Sequence, residues 1–288
     1  MKYFISIMLF ISSLWLVSCD PATDHTTPNL NAQKQYDLSY GPDTRNKLDV
    51  YLPANRDEHT PFILLIHGGA WVSGNKSDFN GFQDTLMAHG IASASMSYRY
   101  ASATVHYQEL MADVGAAMNY CAAQSGTWHT RNINFVVGGA SAGAHMSLLY
   151  SYNYDTQHRV SAVISLAGPT DITDVNWLNY AALLNLLGDL QNMVGATYTL
   201  NQPLPAQFAA ASPIKHIRNL PTLMIHGTVD NVVFYSQSQA LEAQLTTAGI
   251  TNKLVSIPNA SHDLGLANPA TLQLVINEIV TWTNTYGK

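Results

Sequence analysis

Gly139-Ala140-Ser141-Ala142-Gly143 sets a serine between two glycines, where an apolar run, Ile133 to Val137, meets a helix-compatible run, Ala142 to Tyr152. A serine hydroxyl is a weak nucleophile. It attacks a carbonyl only where a base takes its proton and hydrogen-bond donors await the oxyanion. A sharp strand-to-helix turn meets both needs, because the glycines let the backbone bend and the following helix points its first amides at the developing charge. Ser141 is therefore the candidate nucleophile of an acyl transfer. Five residues of this pattern also arise by chance, so the assignment rests on its partners.

Three further constellations supply them. His67-Gly68-Gly69-Ala70-Trp71 follows the apolar run Phe62 to Ile66, and paired glycines beyond a strand let backbone N–H groups approach a ligand oxygen. The amides of Gly68, Gly69 and Ala142 are the expected oxyanion hole, and His67 is expected to organise that loop rather than act as a base. His226-Gly227-Thr228-Val229-Asp230 and Asn259-Ala260-Ser261-His262-Asp263 each follow an apolar run. They offer Asp230 as the acid and His262 as the general base. Asp171 is the runner-up acid, with a more ordinary role in shaping the insertion that follows it, and His145 is read as a packing or hydrogen-bonding residue one turn into the nucleophile helix.

The order of elements puts these groups on one edge. Strands are expected at Tyr36–Tyr40, Lys47–Leu52, Phe62–Ile66, Ala92–Ser97, Ile133–Val137, Val160–Leu166, Pro221–Ile225 and Lys253–Ile257. Helices are expected near Asp78–His89, Gln108–Ala123, Ser236–Ala248 and Pro269–Tyr286. Strand and helix alternating in this way predict an α/β fold with a mostly parallel, doubly wound sheet of about eight strands, whose ligand sites form beyond the strand carboxyl ends. Residues 171–211 are too apolar for a solvated loop, with Trp177, Leu178, Tyr180, Leu183 and Leu184 among them. They are expected to fold as a short helical lid, with Trp71, Trp177 and Tyr180 in the pocket wall.

Composition excludes other classes. In 288 residues the apolar share is 47%, enough for a sizeable core, and the charged share is 11%, against about a quarter in an ordinary domain. A net charge of -6 without a basic stripe argues against nucleic acid. No H-E-x-x-H, Cys/His cluster, dinucleotide fingerprint or P-loop occurs, so no metal and no cofactor are expected.

The amino terminus reads as an export signal: Lys2, then an apolar run from Tyr3 to Val17, too short for a comfortable membrane span. Leu16-Val17-Ser18-Cys19 resembles the lipobox of bacterial lipoproteins, which implies a signal peptide over 1–18 and a lipidated Cys19 in the cell envelope. The alternative is a plain secretory signal cleaved near Ser18 or Ala22. Residues 19–34 are polar and read as a linker, so the folded domain is expected over 35–288. Cys121 then has no partner and is expected as a small buried hydrophobe.

From Gln35 to Lys288 the chain resembles serine α/β-hydrolases of the esterase/lipase type, similar to hormone-sensitive-lipase-like and feruloyl- or acetyl-esterase-like bacterial carboxylesterases. The matching pieces are HGGAW at 67–71, GASAG at 139–143, HGTVD at 226–230 and ASHD at 260–263, with weaker echoes in SYRY at 97–100 and GPTD at 168–171. Two positions depart from the pattern: Ala70 replaces the third glycine of HGGG, and Ala144 stands where many relatives carry glycine. The resemblance implies the α/β-hydrolase fold and hydrolysis of a small-molecule ester by Ser141, His262 and Asp230 through an acyl-enzyme. An amidase, formamidase or exopeptidase on the same triad is the competing expectation, and a non-catalytic binding lipoprotein the remaining one. The narrow lid predicts acyl chains of about two to six carbons.

Overall fold

The structure is a computed structural model that describes residues 30–200 and 202–288. The expected signal peptide and Cys19 lie outside them. Eight strands form one sheet: β1 (Gln33–Ser39), β2 (Lys47–Leu52), β3 (Phe62–Ile66), β4 (Ala92–Ser97), β5 (Phe135–Ala140), β6 (Val160–Leu166), β7 (Thr222–Gly227) and β8 (Asn252–Ile257). Their spatial order is β1-β2-β4-β3-β5-β6-β7-β8. The first two pairings, β1 with β2 and β2 with β4, are antiparallel, and every later one is parallel. This is the mostly parallel, eight-stranded sheet that the alternation predicts, in keeping with the α/β-hydrolase fold that the resemblance implies.

Every residue of β3 is buried because both faces of the sheet are covered. Phe62, Leu64 and Ile66 face a core shared with Val114 and Met118 of α2 (Tyr107–Trp128), Met146 of α3 (Ala142–Leu149) and Leu241 of α7 (Tyr235–Thr247). Ile63 and Leu65 face the opposite core, built with Leu86 of α1 (Asn80–Ala88) and with Val275, Ile279 and Trp282 of α8 (Pro269–Tyr286). Alternate side chains of one strand thus hold two layers of helices. Cys121 is a free, buried thiol inside α2.

Between β6 and β7 the chain folds three short helices, α4 (Val175–Leu183), α5 (Leu187–Val194) and α6 (Ala206–Ala210). Asp174 starts α4 by accepting the N–H groups of Asn176 and Trp177 at 3.0 and 3.2 Å. Gln237 of α7 anchors the entry to this lid: its Oε1 accepts from the amides of Thr170 and Asp171 at 2.9 and 2.7 Å.

Several boundaries differ from the sequence expectation: α2 runs on to Trp128, β7 to Gly227 and β5 starts at Phe135, and two further differences have a plain physical cause. The linker stops earlier than residue 34, since Gln33 already pairs with Leu52 and Lys34 forms an ion pair with Asp84. β1 is an edge strand made of exposed polar residues, so no hydrophobic alternation marks its start. β5 runs on through Gly138 and Gly139, which pair with Ile164 and Ser165 of β6. In a strand covered on both faces a glycine need not end the pairing; it makes room for the helix that follows.

Candidate active site

Ser141 sits at the turn from β5 into α3 with φ 53° and ψ -119°. A left-handed backbone at a residue with a side chain costs on the order of 1–3 kcal/mol, and it persists only where neighbours fix it. Two bonds fix it: the Ser141 amide donates to the Leu166 carbonyl at 2.8 Å, and its own carbonyl accepts from the His145 amide at 3.0 Å. The elbow also packs against the end of β3. A Cβ on Gly143 would lie 1.9 Å from the Ile66 carbonyl oxygen, so only glycine lets the helix start there.

Two loops from the same sheet edge bring the partners. The Ser141 hydroxyl donates to His262 Nε2 at 3.0 Å, and His262 Nδ1–H donates to Asp230 Oδ2 at 2.8 Å. The loops approach closely because position 227 is glycine; a Cβ there would meet the Ala260 carbonyl oxygen at 2.3 Å. Ser261 adds a cross-link, its hydroxyl donating to Asn231 Oδ1 at 2.8 Å. Asp230 is buried, and its Oδ1 accepts from the amides of Val232 and Val233 at 2.8 and 3.0 Å. Burial alone would raise its pKa. The hydrogen bonds from His226, His262 and the Val232 amide outweigh that and hold the carboxyl well below the usual range.

The loop after β3 turns through three residues in the left-handed region, Gly69, Ala70 and Trp71. Ala70 thus takes, at φ 50°, a conformation that glycine adopts more readily. The Gly69 carbonyl closes the turn by accepting from Val72 and Ser73 at 3.0 and 2.9 Å. Among the described residues, the amides of Gly68, Gly69 and Ala142 have no backbone acceptor. His67 acts as the sequence suggested: Nδ1 donates to the Gly68 carbonyl at 2.7 Å, and the ring stacks on Tyr98.

His145 does more than fill space. Trp71 Nε1–H donates to its Nδ1 at 3.2 Å, and its Nε2–H donates to the Ala211 carbonyl at 2.8 Å. One buried ring therefore joins the nucleophile helix, the glycine loop and the far end of the lid. Burial lowers the pKa of both His67 and His145 to about 4, so both rings are neutral; His145 both accepts and donates, whereas His67 donates from Nδ1 and its buried Nε2 has no partner among the described residues.

Ser141 and His262 lie between two cavities. One, of about 370 Å³, is walled by Trp71, Trp177, Leu186, Leu190 and Val233. The other, of about 290 Å³, lies on the α1 side and is walled by Phe79, Phe82, Leu166, Leu264 and Leu266. Trp71 and Trp177 stand where the sequence reading put them. Tyr180 does not: its hydroxyl donates to the Asn231 carbonyl at 3.1 Å and its ring packs on Phe234, so it fastens the lid to the loop carrying Asp230. Leu183, also expected in the lid's apolar face, is 78% exposed. Asp171, the runner-up acid, accepts from the Thr173 amide at 2.9 Å and faces Lys215, not His262.

The residue that sequence reasoning missed is His226. It is fully buried in β7, with Nε2 3.0 Å from Asp230 Oδ2. Its place in HGTVD was visible; its partner Ser238, twelve positions on in α7, was not.

The family model BD-FAE matches residues 48–245. Among curated proteins, the probable isoprenylcysteine alpha-carbonyl methylesterase ICME of Oryza sativa is 24% identical over 80% of this chain and 58% of its own length. The probable carboxylic ester hydrolase LipM of Mycobacterium tuberculosis is 27% identical over 73% of this chain and 51% of its own. The chain thus spans about half the length of the curated relatives it matches. A carbohydrate esterase from gut microbiota superposes with a TM-score of 0.73 at 20% identity, covering 90% of this chain and 98% of that one. The chain belongs to the BD-FAE family, on an α/β-hydrolase fold.

Proposed function

We propose that the chain is a serine carboxylic ester hydrolase that cleaves small, short-chain esters through an acyl-enzyme. The observation that carries this reading is the unbroken hydrogen-bond path from Ser141 Oγ through His262 to a buried Asp230, at the meeting point of two cavities. A methylesterase and a carboxylic ester hydrolase among its relatives, and a carbohydrate esterase among its structural neighbours, support the same bond type.

In this reading His262 Nε2 takes the hydroxyl proton as Ser141 Oγ adds to the carbonyl carbon. The carbonyl electrons move to oxygen, and the amides of Gly68, Gly69 and Ala142 receive that charge. Asp230 fixes the His262 tautomer and stabilises the imidazolium. The oxyanion then collapses, the C–O bond to the alcohol breaks, and the imidazolium returns its proton to the leaving oxygen. Water, deprotonated by His262, repeats the sequence to release the acid. The acyl group lies in the cavity under the lid, between Trp71 and Trp177, and the alcohol leaves through the cavity on the α1 side. Export by the leader and lipid attachment at Cys19 would place this chemistry at the bacterial cell envelope.

Fluorophosphonate labelling combined with a panel of 4-nitrophenyl esters and matched anilides tests the reading. Labelling and ester turnover should vanish in Ser141→Ala without a change in fold. An unlabelled wild type, a fully active Ser141→Ala, or anilides cleaved better than esters would each overturn it.

A further inference from the structure

Asp230 Oδ2 is shared by two histidines. His262 donates to it from the solvent side at 2.8 Å, and His226 reaches it from the core at 3.0 Å. The His226 ring has no exposed surface. Its Nε2 also lies 3.0 Å from the Val233 carbonyl oxygen, and its Nδ1 lies 2.7 Å from the hydroxyl of buried Ser238. Two acceptors, a carboxylate and a carbonyl, face Nε2, so that nitrogen carries a proton. A Ser238 hydroxyl donating to Nδ1 then makes the ring the neutral Nε2–H tautomer.

The consequence falls on the carboxylate. With Val232 and Val233 amides on Oδ1 and two imidazoles on Oδ2, all four of its good acceptor directions are taken. The plane of the carboxylate cannot turn without breaking a bond to a buried group. Its basicity toward His262 is also reduced, because one lone pair of Oδ2 already holds the His226 proton.

We propose that His226 is the positioning residue of the triad acid, setting both the orientation of Asp230 and the strength with which it pulls on His262. The inference rests on the reading of Ser141, His262 and Asp230 as a triad. It requires a neutral donor at position 226, supplied by Nε2–H, and Ser238 holds that tautomer. His226 touches neither cavity, so its effect belongs in kcat and not in substrate affinity.

The test uses His226→Phe, which keeps a ring in the core but donates nothing, beside His226→Gln, whose amide N–H can reach Oδ2. In His226→Phe, kcat on a 4-nitrophenyl butyrate substrate should fall 10- to 100-fold with KM within about twofold. The acid limb of its pH profile should move upward by half a unit or more, because the unshared carboxylate binds the imidazolium more strongly. His226→Gln should recover most of kcat and return the acid limb to its wild-type position. If His226→Phe fails to fold, His226→Asn, whose amide stops short of Oδ2, should give the same shift. An unmoved acid limb in a folded variant lacking the donor, or a loss that Gln does not rescue, overturns the proposal. An active wild type and an inactive Ser141→Ala in the same assay separate that failure from failure of the triad reading itself.

Discussion

Replacing Asp230 by Asn changes one atom, yet its surroundings dictate a large effect. The amide oxygen stays toward the Val232 and Val233 amides, which lie 2.8 and 3.0 Å from Oδ1 and have no other backbone acceptor among the described residues, whereas His226 Nε2–H keeps the Val233 carbonyl and His262 can change tautomer. The new NH2 then occupies the Oδ2 site and faces His262 Nδ1 at about the 2.8 Å now spanned by a bond in the opposite sense. Two donors cannot share that line, so His262 shifts its proton to Nε2 and meets the Ser141 hydroxyl as a donor. The base has lost its lone pair. Loss of the tautomer together with loss of the charge beside the imidazolium is worth about 10³- to 10⁴-fold in kcat, or roughly 4–5.5 kcal/mol of barrier. KM should barely move, because Asp230 lines neither cavity. Steady-state kinetics on one short ester, with circular dichroism to verify the fold, measure this. Asp230→Asn within tenfold of wild type, or a larger loss in Asp171→Asn, would refute the reasoning.

Three further outcomes are expected. His67 and His145 have folded pKa values of about 4, against about 6.5 for free imidazole. Between those values the unfolded chain binds more protons, so their stabilisation is whole above about pH 6.5 and drains as pH falls toward 4, by at most roughly 3–4 kcal/mol per ring. A melting temperature unchanged from pH 7 to pH 4.5 would contradict this. Trp177→Ala should open the lid cavity and move the optimum to longer acyl chains, each further methylene adding about 0.8 kcal/mol, or about fourfold in kcat/KM. An unshifted chain-length profile would place the acyl group elsewhere. Cys19→Ala should release the protein from the detergent phase of a bacterial expression host, since lipid chains on one residue would be its membrane attachment. Mass spectrometry finding an unmodified mature terminus beyond Cys19 would exclude the anchor.

The sheet was legible wherever burial is two-sided. β2, β3, β4 and β6 begin and end where the sequence places them; in β3 the run is apolar throughout because both faces are covered, and in β2, β4 and β6 the few interior polar residues are mostly small or buried. β1 was misplaced by a few residues since an exposed edge leaves no such trace. Ser141, Asp230 and His262 were readable because each follows a strand and all three come in the order their chemistry requires. His226 was not readable as a positioning group, and the hydrogen-bonding role expected of His145 came without its partners. Their partners are Ser238, Trp71 and Ala211, and nothing in local spacing brings those residues together. Tyr180 failed for a related reason: an aromatic residue in a lid can face the pocket or bind the lid down, and its sequence neighbours are the same in both cases.

Of these residues, His145 bears on conformations the backbone would otherwise leave. Ala70, Trp71 and Ser141 all sit at positive φ, each costing on the order of 1–3 kcal/mol. The Trp71 indole is tied to His145, the Trp71 carbonyl accepts from the Ala101 amide at 2.9 Å, and Ser141 is held from both sides by Leu166 and His145. These bonds run between elements, so the strained turns are fixed by the completed fold and not by their own sequence. In the proposed reaction the donors and the nucleophile would be held before substrate arrives, so little reorganisation would remain for the chemical step, which is where fixed dipoles lower a barrier most effectively. His145 is bonded to the glycine loop and to the end of the lid by opposite edges of one ring. A displacement of the lid backbone at Ala211 therefore reaches Trp71 through a single side chain, which couples the end of the lid to the loop carrying Gly68 and Gly69.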